Sequence, residues 1–183
     1  MTKQFLFVHG YKGTPDTPPW FKWTAQILQK EKNVVSSIPA MPFPSNPNMD
    51  AWLQVIFRAA REQEFPNTTF VGHSLGGAAL LRAIEMSAEP AAHVILVATP
   101  FEHIKRYNIG AFFQTPWDFE ALKKKALRFT CIYSKDDPAV PYEHGLKFAQ
   151  ELGADLITFE DKGHFDELLE FPEFVYNILL KNE

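Results

Sequence analysis

A serine stands at the centre of the strongest motif in the chain, Gly72-His73-Ser74-Leu75-Gly76. An apolar run over 68–71 precedes it and a helical pattern begins near Leu75, which is the strand–turn–helix context of a G-x-S-x-G nucleophile elbow. Such a turn strains the serine backbone, and glycines on either side let neighbouring backbones pass closely. We therefore predict that Ser74 is a nucleophile. The alternative is a helix N-cap serine that follows a glycine turn.

A serine hydroxyl needs a base, and the base needs a third group that fixes its tautomer. Two loops further along the chain supply candidates in the order Ser, Asp, His. In Ser134-Lys135-Asp136-Asp137-Pro138, the proline biases Asp137 to an extended conformation at a strand end. We therefore predict Asp137 as the orienting carboxylate and expect a turn or capping contact for Asp136. His164, which follows Gly163 after the last strand, is the predicted general base; in isolation it would be an exposed loop histidine.

Attack on a carbonyl creates an oxyanion that two N–H groups must hold. The backbone N–H of Leu75, directly after the serine, is one predicted donor. The second should come from the loop over 9–13, where Gly10 lets the chain turn and Tyr11 is the predicted donor. The alternative is that His9-Gly10 only ends the first strand.

The segment 99–117 is irregular and rich in apolar side chains, and it lies where it could cover a cleft. We expect it to form a small lid and the wall of a substrate pocket. Its candidate wall residues are Phe101, Ile104, Tyr107, Ile109, Phe112, Phe113 and Trp117, of which we select the four residues Phe101, Phe112, Phe113 and Trp117. Ordinary packing of this loop onto the sheet edge is an equally good interpretation.

The remaining histidines are expected to have supporting roles. His9 and His73 flank the predicted site and should hold loops through hydrogen bonds, whereas His93, His103 and His144 should be exposed or structural. A metal set could be assembled from Asp136, Asp137, His144, Asp161, His164 and Asp166. No H-x-x-x-H or similar ligand spacing occurs, so we predict neither a metal nor any other cofactor.

The elements that must position these residues alternate along the chain. Six strands are predicted over Phe5–Val8, Asn33–Ile38, Thr68–Val71, His93–Ala98, Phe129–Tyr133 and Asp155–Phe159. Helical patterns are predicted over 18–30, 49–60, 75–87, 118–126, 142–152 and 172–180. This alternation predicts an α/β fold with a parallel sheet covered on both faces. Ligands then bind beyond the carboxyl ends of the strands, where the candidate residues lie.

Composition sets the limits for these predictions. The chain has 183 residues, 46% of them hydrophobic and 22% charged, as expected for one globular domain over 1–183. A net charge of −4 argues against binding to nucleic acid or an anionic membrane. The single cysteine, Cys131, is expected to be a buried apolar residue. No apolar stretch suits a signal peptide or a membrane span, so we expect a cytoplasmic protein. The oligomeric state stays open.

With these residues in view, the chain resembles the α/β-hydrolases, and within them the small serine hydrolases of the retinoblastoma-binding protein nine and YdeN type. The matching features are His9-Gly10-Tyr11, the elbow at 72–76, Pro116-Trp117, Ser134–Pro138 with Val140-Pro141, and Gly163-His164-Phe165. The resemblance implies a reduced fold that lacks the usual first two strands and any large cap domain. Ser74, Asp137 and His164 match the family's triad positions.

The residues and the resemblance together predict a serine hydrolase that cleaves a small ester, thioester or amide. By resemblance its activity would be carboxylesterase- or peptidase-like. Two alternatives stay open: an acyl transferase that uses the same triad, and a binding protein that kept the fold and lost catalysis. A metal hydrolase is a third, which the ligand spacing does not favour.

Overall fold

Six strands pair side by side in a parallel sheet in this computed structural model, which describes residues 2–180 apart from the side chains of residues 62 and 63. The strands are β1 (Lys3–Val8), β2 (Val34–Ser37), β3 (Thr68–His73), β4 (His93–Val97), β5 (Phe129–Ser134) and β6 (Asp155–Phe159). Every strand bound lies within two residues of its prediction. The strands run in the order β2-β1-β3-β4-β5-β6.

The helices are α1 (Trp20–Leu28), α2 (Met49–Ala60), α3 (Leu75–Met86), α4 (Phe119–Lys124), α5 (Tyr142–Leu152) and α6 (Pro172–Phe174), which continues as a π-helix over Val175–Leu179. Two short 3₁₀ helices, Glu62–Asn67 and Gly110–Phe113, were not predicted. Helix α4 is shorter than predicted. Its first turn is capped by the Asp118 side chain, which accepts a hydrogen bond from the backbone of Ala121.

Both faces of the sheet are covered, because consecutive strand residues point to opposite sides. Phe7 of β1 packs in a core with Trp20 of α1 and Phe174 of α6. Leu6, one residue earlier, packs in a second core with Leu80 of α3 and other residues of α2–α5. Cys131 is buried in this second core, as predicted, and burial raises the pKa of its thiol to about 12.

The strand order creates a crevice between β1 and β3. The chain leaves β1 toward β2 on one side, and leaves β3 toward β4 on the other. Because the two loops diverge, a gap opens beyond the carboxyl ends of these strands, where open α/β sheets bind ligands. Pairing of Val8 with Gly72 places the end of β1 beside the serine turn.

The segment 99–117 contains one 3₁₀ helix, and no large cap domain covers the sheet within residues 2–180. In that same range, no helix is both long and apolar enough to cross a membrane.

Candidate active site

Ser74 occupies a strained turn between β3 and α3. Its φ and ψ are 53° and −126°, outside the regions that residues with a side chain normally adopt. The Ser74 N–H donates to the carbonyl of Val97 over 2.8 Å, so the turn is held against the end of β4. This is the sharp strand-to-helix turn that the sequence motif predicts.

Glycines around Ser74 are required by close approach of backbone to backbone. A Cβ atom on Gly76 would lie 2.0 Å from the carbonyl oxygen of Val8, and one on Gly72 would lie 2.4 Å from the Cα of Gly77. Gly10 also lies against the serine, since a Cβ there would be 2.9 Å from the Cβ of Ser74. The loop turns at Gly10 as predicted, since the N–H of Gly13 donates to the Gly10 carbonyl over 3.0 Å. Close packing on the nucleophile candidate is a second reason for glycine at this position.

His164 and Asp137 form a hydrogen-bonded pair. The Nδ1 of His164 donates to the Oδ2 of Asp137 over 2.8 Å, and the carboxylate side chain is 1% exposed. The other carboxylate oxygen accepts from the backbone N–H groups of Ala139 (2.7 Å) and Val140 (2.9 Å). Because both oxygens are engaged, the carboxylate cannot rotate freely. A proton on Nδ1 leaves Nε2 of His164 as the basic nitrogen.

Asp136 has the loop-holding role that the sequence suggests. Its Oδ1 accepts from the Oγ of Ser134 over 2.5 Å and from the N–H of Gly163 over 2.8 Å. The hydrogen bond from Ser134, followed by that from Gly163, lowers the pKa of the Asp136 carboxyl. These bonds fasten the loop that carries His164 to the end of β5.

Two buried histidines support the site. The Nε2 of His73 donates to the carbonyl of His164 over 2.7 Å, and the two rings lie 4.8 Å apart. Burial, and then the charge of protonated His164, lower the pKa of His73 to about 3, so His73 is neutral. His9 donates from Nδ1 to the carbonyl of Gly10 (3.0 Å) and accepts at Nε2 from the N–H of Met41 (3.1 Å). Both predicted loop-supporting roles are confirmed.

Two hollows meet at Ser74 and His164. The first, here called the apolar hollow, has a volume of about 220 Å³; Lys12 and Asp166 lie at its edge, and its wall is made by Pro100, Ile104, Tyr107, Ile109, Ala139 and Val140. The second, here called the polar hollow, has a volume of about 320 Å³ and includes Lys12, Thr17, Asp166 and Glu167. A larger hollow of about 650 Å³ lies beside β1, β2 and residues 59–67, and none of its described lining residues is a histidine or cysteine.

The two predicted oxyanion donors lie together. Tyr11 and Leu75 both line the apolar hollow with Ser74. Within residues 2–180, neither backbone N–H is hydrogen-bonded to a protein acceptor. Both groups are thus free to donate to a bound oxygen atom.

The four selected wall residues lie elsewhere, so that part of the pocket prediction is wrong. Phe101, Phe113 and Trp117 line a separate hollow of about 280 Å³, and neither Ser74 nor His164 lines it. Phe112 is fully buried and packs on Trp52. The wall of the apolar hollow is made instead by three other candidates of the same segment, Ile104, Tyr107 and Ile109.

The other histidines are structural or exposed, as predicted. His93 bonds to the Oγ1 of Thr130, His144 accepts from the N–H of Phe101, and exposed His103 bonds to the carbonyl of Tyr107. In the described part of the chain, no group of three or more His, Cys, Asp or Glu side chains is arranged to hold a metal ion.

A six-stranded parallel sheet, a strained serine after β3 and a carboxylate–histidine pair after β5 and β6 together define an α/β-hydrolase. A family model described as "Serine hydrolase" matches residues 5–178, and the chain belongs to this family.

Similar proteins cover nearly the whole chain. YdeN of Bacillus subtilis strain 168 is 31% identical over 98% of this chain and 95% of its own. Serine hydrolase RBBP9 of Rattus norvegicus is 26% identical over 95% of this chain and 92% of its own. The resemblance found in the sequence is thereby confirmed.

Solved structures agree with the fold. The crystal structure of the B. subtilis ydeN gene product has a TM-score of 0.89 at 30% identity and covers 98% of this chain and 97% of its own. Est1E from Butyrivibrio proteoclasticus has a TM-score of 0.75 at 18% identity, with 98% and 88% coverage, a likeness of fold alone.

Proposed function

We propose that this serine hydrolase cleaves a small ester, thioester or amide through an acyl-enzyme on Ser74. The observation that carries the proposal is the Asp137–His164 hydrogen bond of 2.8 Å beside a hollow that Ser74 and His164 share. A buried carboxylate that orients a histidine next to a strained serine is the arrangement that activates a hydroxyl.

In the proposed reaction, Nε2 of His164 takes the proton from the Oγ of Ser74 as that oxygen attacks the substrate carbonyl. Asp137 holds the imidazole in the required tautomer and stabilises its positive form. The N–H groups of Tyr11 and Leu75 donate to the oxyanion. The leaving group departs with the proton from His164, and water activated by the same histidine releases the acyl group.

Intact-protein mass after incubation with a fluorophosphonate tests the nucleophile. We expect one adduct on the wild type and none on Ser74→Ala. Ser45→Ala is the matched control, because Ser45 is an exposed serine outside the site and its loss should leave the adduct in place. In ester hydrolysis, Ser74→Ala and His164→Ala should each cost several orders of magnitude in rate. The double variant should cost little more, since the two residues act as a unit.

The same experiment separates the alternatives. A folded wild-type protein without an adduct would contradict the proposal and favour a binding protein that lost catalysis. If Ser74 is labelled and the acyl group of the ester passes to an added alcohol, and not to water, the result would favour an acyl transferase.

A further inference from the structure

We infer that the apolar hollow receives the acyl part of the substrate and limits it to about six carbons or one aromatic ring, while the alcohol or amine part lies in the polar hollow. This inference rests on the proposed function. It concerns which substrates the site accepts.

The positions of the two N–H donors decide which hollow holds which part. Leu75 lines the apolar hollow and not the polar one, whereas Tyr11 lines both. A carbonyl oxygen held by both N–H groups therefore lies at the apolar side of Ser74. The acyl chain stays on Ser74 through both steps, and the apolar wall made by Ile104, Tyr107, Ile109 and Val140 suits it. The leaving group must depart into water. Lys12 and Asp166 line both hollows, whereas the polar hollow lacks that apolar wall and has Thr17 and Glu167 instead.

The volume sets the size of the acyl group. A dry apolar cavity of about 150 Å³ can bind benzene. The apolar hollow of about 220 Å³ holds one aromatic ring or a short aliphatic chain together with the carbonyl. At about 30 Å³ for each water-sized group, it holds roughly seven such groups.

The wall of the apolar hollow is fastened to the loop that carries Asp137. An NH₂ group of the Arg106 guanidinium donates to the carbonyls of Pro138 (2.5 Å) and Ala139 (3.0 Å). The same guanidinium lies 5.0 Å from the centre of the Tyr107 ring. One cation thus joins the wall to the loop on the far side of the cavity.

The wall is also fastened toward β1 and β2. The Asn108 side chain donates to the Oδ1 of Asn46 over 2.8 Å, and the Tyr107 ring lies 5.7 Å from that of Tyr11. A wall held at both ends does not yield readily to a longer chain. We therefore expect a defined cutoff in acyl length.

Hydrolysis of p-nitrophenyl esters from acetate to decanoate tests the cutoff. We expect kcat/KM to rise by about fourfold per methylene up to hexanoate, the gain expected for burying each group, and then to fall. Ile104→Ala removes three carbons from the wall. It should move the best chain length two to three carbons upward and raise the decanoate-to-butyrate ratio at least about tenfold.

Phe113→Ala is the matched control, because Phe113 lies in the same segment but lines the separate hollow. Its length profile should equal that of the wild type. Arg106→Met should flatten the cutoff by releasing the wall, whereas Lys105→Met removes a neighbouring exposed charge and should not.

A second series fixes the acyl group as butyryl and lengthens the alcohol. Here kcat/KM should change by less than about threefold, since an open polar surface buries little of an added methylene. A sharp cutoff in alcohol length with a flat acyl profile would overturn the assignment of the hollows.

Fluorophosphonate labelling of each folded variant shows whether a negative result contradicts this inference or the proposed function. Labelled Ser74 with a flat acyl profile, or an Ile104→Ala profile equal to the wild type, overturns this inference and leaves the proposed function standing. Absence of labelling in the wild type overturns the proposed function itself.

Discussion

The serine turn and the segment 99–117 face the same apolar hollow but are held in place in different ways. Around Ser74, the turn is made by neighbours in sequence, Gly72 and Gly76, and it leads directly into α3, although it packs closely against the end of β1. In the segment 99–117, distant residues hold the chain. Arg82 of α3 lies within the protein and donates to the carbonyls of Phe112 (3.0 Å) and Thr115 (2.5 Å).

Other anchors of this segment are equally remote in sequence. His144 of α5 accepts a hydrogen bond from the N–H of Phe101 over 3.0 Å, and Trp117 donates from Nε1 to the carbonyl of Phe101 over 2.7 Å. The two regions therefore differ in what fixes the backbone: a short motif with closely packed glycines forms the serine turn, whereas hydrogen bonds from remote residues fix the segment 99–117.

The largest expected effect distinguishes the two aspartates. Asp137→Asn should lower kcat by about 10³–10⁴, because an amide cannot hold His164 in the basic tautomer. Asp136→Asn should cost less than about tenfold, since Asp136 holds the loop and does not contact the histidine. Steady-state hydrolysis of a short ester measures both. A larger loss for Asp136→Asn would contradict the assignment.

The next effect concerns Arg82, which anchors the later part of the segment 99–117. Arg82 pairs with Glu85 over 2.7 Å, and the two side chains are 7% and 14% exposed. Arg82→Met removes the cation from that carboxylate, which keeps the N–H of Asp118 as a donor, and removes the donor to three carbonyls of the segment 99–117. The free energy of unfolding should therefore fall by about 3–5 kcal/mol in urea denaturation. Arg128→Met breaks an exposed pair with Asp155 and should cost about 0–1 kcal/mol. Equal losses would show that the bonds of Arg82 add no more stability than an exposed ion pair.

A smaller effect should appear on the catalytic side. His73→Phe keeps an aromatic ring but removes the donor to the His164 carbonyl, so we expect kcat to fall by about tenfold with little change in KM. His73→Gln restores a donor and should recover most of the loss. If His73→Phe keeps full activity and His73→Gln loses it, the ring contact with His164, and not the hydrogen bond, positions the base.

The smallest effect depends on pH and concerns His144, which holds the backbone of the segment 99–117 at Phe101. Burial lowers the pKa of His144, an effect that Lys147 adds to and that Glu102 and Glu143 oppose. Below about pH 6.5, the unfolded chain binds a proton that folded His144 does not. Stability therefore falls as pH decreases, by at most about 1.4 kcal/mol per pH unit for this group.

His144→Gln should weaken the dependence of the melting temperature on pH between 7 and 5. His103→Gln should leave this dependence unchanged, because His103 is an exposed histidine of the segment 99–117. Part of the acid sensitivity should persist in His144→Gln, because burial also lowers the pKa of His93 to about 4 and of His73 to about 3. An unchanged slope in His144→Gln would contradict the role of His144.

The sequence predicted the elements well, since apolar runs and helical periods are local properties. The bounds of α2, α5 and β6 match their predictions. The hydrogen bond between His164 and Asp137 brings together two residues placed by loop position and chain order alone. Their catalytic roles, with that of Ser74, stay predictions for the experiments above.

The wall could not be predicted in the same way. Trp117 was selected as a pocket residue because it is aromatic and lies in the segment 99–117, yet its ring packs 3.8 Å from the guanidinium of Arg82. Nothing in the sequence marks Arg82 as an anchor, because a single arginine in an otherwise apolar helix does not reveal which carbonyl groups it contacts. The contact of Arg106 with the loop that carries Asp137 could not be predicted from the sequence either.

The amino-acid sequence alone is enough to indicate the α/β alternation, the strained turn at Ser74 and the order of the serine, the aspartate and the histidine. These features depend on short-range sterics, which a few neighbouring residues specify. The strand order, the crevice between β1 and β3 and the side chains that face the apolar hollow become visible only in the folded chain. In an irregular segment no period assigns side chains to a face, so contacts with remote residues such as Arg82 and Asn46 settle their direction.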